Sequence, residues 1–429
     1  MTGVQTERPD APDVGPVPQP EAPPVVSRDR ARRERGAHPR NDADAPRKPF
    51  RGTRWFGLAS LVCIGLLMVM LWQGWETAKE IKGGNRLNQQ TDPAKPGYQE
   101  DVLATPSRLV GQLDANGRLA DMVLLTAPDQ MGGNAVFIPS TLVVERDGQT
   151  MPLFDLYAKS GWPSVVDSIG RFLGAGFTQT ALMSSDDAQK LLESAGTLTV
   201  DNTDAVVVQA ADGARSTEFD AGRISLTPDQ AVKFMTATGV DESPVQRSYR
   251  QQLVWQAWLD KLKLEPALLP KVAPLGEGDG AIDISAVVKA LTEGDFSTQP
   301  LPVIRIPLAR ESWAADPNSM GDLVSRVLPF PSASYPGQRP RVRILDGTQN
   351  RDLILKASSP IVSAGGQITI IGNADRFGVT NTKIEYHDPS QQAAAEKIAA
   401  ALGHRQAVES TDQTDTFDVT VTLGSDFTG

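Results

Sequence analysis

Residues Ala120–Pro139 read ADMVLLTAPDQMGGNAVFIP. Ala120–Ala127 and Asn134–Pro139 are short apolar runs of the kind found in strands covered on both faces. One acid, Asp121, stands inside the first run. Working outward, Leu142–Met151 reads as a strand and turn, with Asp147-Gly148 as the turn signal. Val165, Val166, Ile169, Phe172 and Leu173 have helical spacing, and Gly174 to Gly176 stops that helix. Ser184–Ser194 reads as a capped helix with Asp186 and Asp187 in its first turn and Leu191 and Leu192 facing inward. Leu198–Val200 and Ala205–Gln209 are expected strands. Thr227-Pro228-Asp229-Gln230 opens a helix, with Thr227 as cap. Gln246–Leu264 is a long amphipathic helix, Ile282–Leu291 a further helix and Pro302–Ile306 a strand. Strands alternating with helices over 101–328 predict a mixed-sheet α/β sandwich.

Pro329–Pro340 (PFPSASYPGQRP) holds four prolines and a glycine and reads as a linker. Residues 341–429 then form a small α/β domain of their own. Val342–Leu345 is a strand, Asp346-Gly347-Thr348 a tight turn, and a helix follows to about Ser363 despite Pro360. Gln367–Ile371 and Lys383–His387 are strands, and Pro389–Leu402 is an alanine-rich helix ended by Gly403. Thr416–Leu423 alternates as a strand. His387 beside Asp388 reads as a polar pair at a strand end. The fold class is α/β (α+β).

On the amino side, Trp55–Trp75 (WFGLASLVCIGLLMVMLWQGW) contains no charge across 21 residues. That length spans about 30 Å of hydrocarbon as a helix. Tryptophans at both ends suit the membrane interface. Residues 28–54 carry ten Lys/Arg against four Asp/Glu, a net of +6. Positive charge on this flank places the amino terminus in the cytoplasm and the rest of the chain outside. The run reads as an uncleaved signal anchor, since the region before it is far too long for a cleaved signal peptide. Residues 1–54, with ten prolines, form a disordered basic tail, and residues 76–100 a stalk.

The chain has 429 residues, 40% hydrophobic and 22% charged. That excludes a chain disordered throughout, a collagen-like fibre and a multi-span transporter. Its single cysteine, Cys63, excludes a disulfide framework and a Cys-rich zinc site. Three histidines, His38, His387 and His404, leave little for a histidine metal centre. A net charge of −10 argues against a nucleic-acid partner. The sequence carries no P-loop, nucleophile elbow, HExxH or EF-hand pattern.

Two stretches resemble the LytR-CpsA-Psr family, membrane-anchored bacterial enzymes that move a glycopolymer from a polyprenyl-pyrophosphate carrier onto peptidoglycan. Val342-Arg343-Ile344-Leu345-Asp346-Gly347-Thr348 looks like the opening strand and turn of the LytR C-terminal domain, where Asn often stands at Asp346. Ile371–Asp375 and Val419–Gly424 also fit that domain. In the first domain, Leu226–Ala231 looks like a short family segment, and Arg247-Ser248-Tyr249-Arg250-Gln251-Gln252 is similar to its R-x-x-R-Q-Q helix start. Asp121 stands near the acid of an early R-x-D strand, and Arg118 is the candidate for its arginine, at a shifted spacing.

The departures concern chemistry. Where the family has I-P-R-D, this chain has Ile138-Pro139-Ser140-Thr141. Where the family has R-x-R, this chain has Phe234-Met235-Thr236-Ala237-Thr238. Transfer at a pyrophosphate depends on positioning and charge neutralisation by arginines and Mg²⁺. The resemblance therefore implies a domain with the family's shape and without its full charge set.

Arg118, Asp121, Arg247 and Arg250 are the candidate phosphate- or pyrophosphate-binding residues. Arg247 and Arg250, three apart, are expected on one helix face. The first reading is a non-catalytic, membrane-anchored binder or scaffold in cell-wall glycopolymer assembly, with no cofactor. Its partners would be the lipid bilayer, a polyprenyl-linked glycan, peptidoglycan or another envelope enzyme. Two alternatives stay open. One is an active phosphotransferase using Arg118, Asp121, Arg247 and Arg250, with Mg²⁺. The other is a single-span envelope regulator or receptor.

Overall fold

Eight consecutive buried residues, Leu119–Thr126, can only belong to a strand with protein on both sides. The computed structural model describes residues 90–128, 132–240, 242–276, 281–307, 312–403, 406–412 and 414–429. The expected tail at 1–54, the span at 55–75 and most of the stalk lie outside them. No helix among the described residues is long and apolar enough to cross a membrane.

In chain order, β1 (Gln99–Asp101), β2 (Ser107–Leu113), β3 (Leu119–Thr126) and β4 (Gly133–Pro139) precede a short hairpin, β5 (Val143–Arg146) and β6 (Gln149–Pro152). Helix α1 (Leu153–Leu173) leads to β7 (Gln179–Met183) and α2 (Ser185–Glu193). Then come β8 (Leu198–Asn202), β9 (Val206–Gln209), β10 (Arg215–Phe219) and β11 (Gly222–Leu226), nested hairpins with β9 on β10 inside β8 on β11. Next are α3 (Pro228–Thr236), α4 (Pro244–Leu264), α5 (Ser285–Glu293), β12 (Phe296–Pro300), the hairpin β13 (Val303–Ile306) and β14 (Ser312–Ala315), and α6 (Pro317–Val327). The carboxyl-terminal part contains β15 (Arg341–Asp346), α7 (Asp352–Ser363), β16 (Gln367–Asn373), β17 (Lys383–Tyr386), α8 (Gln392–Ala401), β18 (Val408–Glu409) and β19 (Val419–Leu423).

The first sheet runs β12-β4-β3-β2-β7. Its centre is antiparallel, and parallel strands β12 and β7 close the two edges. Strand alternation splits β3 and β4 between two cores. Met122, Leu124, Val136 and Ile138 face α1, while Val123, Leu125, Ala135 and Phe137 face α2 to α5. The mixed α/β architecture expected from the sequence is therefore present.

Helix α1 starts at Leu153, as the resemblance of Leu153–Gly174 to the family's helix after the first hairpin implies, and twelve residues before the helical spacing begins at Val165. Leu153 and Leu156 are buried and extend the apolar stripe backward. Gly161 (φ 75°, ψ 178°) and Pro163 break the helical geometry between the two halves, which is why sequence periodicity shows only the second. Helix α2 is capped by Ser184, which accepts from the Asp187 amide while the Asp187 carboxylate accepts from the Ser184 amide.

The second sheet runs β1-β16-β15-β19-β17-β18, with β15 parallel to both neighbours. Its edge strand β1 comes from residues ahead of the first sheet and pairs antiparallel with β16. The core between α1 and the first sheet continues into this part. Leu323 and Val327 of α6, Val342 and Ile344 of β15, and Ile361 of α7 belong to the same buried cluster as Leu124 and Ile169.

Residues 329–340, expected as a linker, bond to both sides. Phe330 O accepts from the Thr105 amide and Ser332 O from the Gly176 amide. The Ala333 amide donates to Gln367 Oε1. Arg339, 7% exposed, donates to Gly174 O (2.6 Å) and Leu173 O (3.2 Å) at the end of α1. It also donates to Val362 O (3.2 Å) and Gly366 O (3.0 Å) around the end of α7. Two helix carboxyl ends carrying partial negative charge thus share one cation.

Candidate functional site

The central strands place Asp121 of β3 opposite Gln112 of β2 and Pro139 of β4. Helix α4 begins over this corner. Ser243 accepts from the Gln246 amide in a capping box, which fixes the first turn carrying Arg247. Arg247 Nη2 donates to Ala120 O (2.8 Å) and Ser140 Oγ (3.2 Å), and its Nε lies 3.9 Å from Asp121 Oδ2. Ser140 donates from its amide to Asp121 Oδ1 (2.9 Å) and from Oγ to Ala120 O (2.6 Å). One helical turn after Arg247, Gln251 Nε2 donates to Gln112 Oε1 (2.9 Å).

Asp121 is completely buried, and its carboxyl is pushed up to about 7. Burial is the main cause, opposed by the Arg247 charge and the Ser140 amide. Near neutral pH the group therefore exists in both protonation states. Several buried polar atoms at this corner have no hydrogen-bond partner among the described residues: Gln112 Nε2, Asp121 Oδ2, Thr141 Oγ1, Arg247 Nε and Ser248 Oγ. Buried polar groups are nearly always paired, so such a concentration marks a place shaped by more than packing.

Arg250 turns away from this corner. Its Nε and Nη2 bind Glu242 in a two-point fork at 2.8 and 2.7 Å. Nη2 also donates to Ala237 O (2.6 Å) and Nη1 to Phe234 O, capping the carboxyl end of α3. Arg250 is 3% exposed, and burial lowers its pKa while Glu242 raises it. Three residues of helix separate Arg247 from Arg250 by about 60° around the axis, enough to send them to different partners. Gln251, four residues on, shares the Arg247 corner. Its signal was the spacing itself, Arg and Gln at i and i+4 within R-x-x-R-Q-Q.

Arg118 is exposed in the turn between β2 and β3, where its amide donates to Asp114 Oδ1. The structure thus brings Asp121 and Arg247 together, adds Gln112, Ser140 and Gln251 to them, sets Arg250 on α3 and leaves Arg118 on the surface. Phe234 and Met235, in the segment that carries arginines in the family, are core residues of α3, and Phe234 packs edge-on against Phe219 at 5.1 Å.

The alternative reading calls for Mg²⁺. Asp121 has one oxygen committed to the Ser140 amide, which leaves Oδ2 as the oxygen it could offer a hard cation. No group of three or more metal-ligating acids, histidines or cysteines occurs among the described residues.

Comparison with known proteins agrees with the resemblance at the carboxyl end. Residues 339–427 match a family described as "LytR cell envelope-related transcriptional attenuator". No curated protein matches the chain. Among solved structures, Bacillus subtilis TagV is 15% identical, with a TM-score of 0.41, covering 52% of this chain and 97% of its own. A LytR-Csp2A-Psr enzyme from Actinomyces oris is 20% identical, with a TM-score of 0.42, covering 56% of this chain and 95% of its own. TagT bound to LIIa-WTA is 15% identical, with a TM-score of 0.40, covering 57% and 94%. Residues 339–427 therefore match the LytR C-terminal family, and the family match is confined to that stretch.

Proposed function

We propose that this protein is a membrane-anchored, extracytoplasmic envelope protein that binds a lipid-linked glycopolymer precursor without transferring it, and so acts as a scaffold in cell-wall glycopolymer assembly. The observation that carries this reading is the commitment of the cations. Arg250 is spent on Glu242 and the end of α3, and Arg247 is the guanidinium that reaches the Asp121 corner. Phosphoryl transfer needs several fixed positive charges around the migrating group. Removing one such donor typically slows an enzyme by about two to three powers of ten. Ser140, Thr141 and the 234–238 segment supply none. The unpaired polar atoms beside Arg247 support retention of a ligand, with Arg247 contacting a phosphate oxygen.

The test uses the full-length chain in lipid nanodiscs, supplied with a polyprenyl-pyrophosphate-linked glycan and peptidoglycan acceptor. Native mass spectrometry is expected to show a precursor adduct that Arg247→Ala weakens, and no glycan linked to the acceptor. Measured transfer would overturn the reading in favour of the phosphotransferase. A clean protein mass without adduct would overturn it in favour of a partner-binding regulator.

A further inference from the structure

The carboxyl ends of the parallel strands β15 and β16 open into a crevice of about 460 Å³, lined by Pro93, Asp346, Gln349, Arg351, Asn373 and Phe377 among others. In sheets with parallel strands, this end is where ligands commonly seat. Asp346 closes β15 and stands in register with Asn373 at the end of β16. Both are buried, at 0% and 2% exposure. Asp346 Oδ1 accepts from the Thr348 amide and hydroxyl, each at 2.7 Å, and so holds the turn. Asp346 Oδ2 is buried with no hydrogen-bond partner among the described residues.

That oxygen does nothing for the fold. A buried carboxylate oxygen without a donor opposes stability, and the turn is already satisfied through Oδ1. Asn373 donates to Pro93 O (2.8 Å) and Lys95 O (2.7 Å), fixing the incoming chain as one wall. Arg351 is steadied by Glu100 at 2.6 Å. The half-buried Phe377 supplies an aromatic surface. An anion would face the Asp346 charge. A metal ion would find a single carboxylate. A purely apolar ligand would leave Asp346 Oδ2 without a donor.

We propose that this crevice binds a sugar ring, a hexose or hexosamine, whose hydroxyl or ammonium donates to Asp346 Oδ2 and whose apolar face lies on Phe377. Sugars combine these demands, with dense donors and acceptors around the edge and C–H groups on the flat face. The inference rests on the envelope reading only for the natural source of the sugar. The site would recognise glycan units through the C-terminal domain, apart from the Arg247 corner.

Saturation-transfer NMR on the full-length chain in nanodiscs, with free glucose and free glucosamine as probes, tests it. Transfer to the ring protons of at least one sugar is expected, with glucosamine alone identifying the ammonium and glucose alone the hydroxyl as the donor. Asp346→Asn keeps an acceptor for Thr348 and should weaken binding about tenfold or more. Phe377→Ala, at the rim, should weaken it independently if the first variant folds poorly. Absence of transfer for both sugars, or equal signals in wild type and both variants, would overturn the proposal. Because the probes are free sugars, that failure leaves the Arg247 reading untouched, and failure of precursor binding leaves this one untouched.

Discussion

Asp121→Asn isolates the cost of placing an acid in the centre of the first sheet. The substitution preserves the acceptor for the Ser140 amide and removes the ionisable group. In the unfolded chain Asp121 titrates near the ordinary value of about 4, and in the folded protein near 7. Between those values the folded state holds a proton that the unfolded state has released. Stability conferred by this proton falls as pH rises, at about 1.4 kcal/mol per pH unit, and the loss is complete above the folded value. Between pH 5 and pH 8 the wild type should therefore lose about 3 kcal/mol relative to Asp121→Asn, after which the difference levels off. Urea unfolding of both proteins at half-unit pH steps from 5 to 8.5 measures it, and the wild-type-minus-variant difference cancels the other titrating groups. Parallel curves would refute the claim that Asp121 sits in a dry environment. A difference of opposite sign would mean that the Arg247 charge, 3.9 Å away, outweighs burial.

Arg250→Met should destabilise by about 3–5 kcal/mol, because Glu242 then stays largely buried without its partner. Adding Glu242→Gln should recover part of that loss in a double-mutant cycle. Arg339→Met removes the donor from four carbonyls and should cost about 3 kcal/mol or more by chemical denaturation. A loss under about 1 kcal/mol would mean those carbonyls find other donors. Gly111→Ala places a Cβ at 2.7 Å from Trp162 Cζ3 on the face of β2, an overpacking worth about 1–3 kcal/mol by the same measurement.

Part of the strand set and most helices of this protein are legible because their signals are local, whereas β2, β7, β11 and β12 drew no expectation from the sequence. The apolar runs of β3 and β4, the Ser184 cap and the Thr227-Pro228 opening need no tertiary partner to be recognised. The front of α1 carries no periodic signal, since Gly161 and Pro163 interrupt it, and the family resemblance over Leu153–Gly174 is what places a helix there. Nor was β10, whose exposed residues Arg215–Thr217 carry little apolar signal. At the candidate site, sequence spacing put Arg247 and Arg250 together, whereas Glu242 and the open end of α3 draw Arg250 away. That competition is invisible until α3 and α4 are packed. The Ser140 and Thr141 departures were readable directly, and the structure adds that Ser140 Oγ lies within reach of Arg247.

Arg339 shows how the two sheets come to share one body. Among the described residues its buried guanidinium meets no carboxylate, and burial pushes its pKa down to about 10, still far above neutral. The charge is retained because it faces the carbonyl ends of α1 and α7, whose partial negative charges would otherwise meet across the junction unopposed. Around it the apolar cluster runs from Leu124 and Ile169 through Leu323 and Val327 to Val342 and Ile361. Proline-rich sequence at 329–340 therefore acts here as a fixed strap, its prolines limiting chain entropy while Phe330, Ser332 and Ala333 bond to the flanking parts. A LytR C-terminal domain joined in this way holds its crevice at a fixed place relative to the Arg247 corner. On the proposed scaffold reading, a glycan bound at both places would have to match that separation.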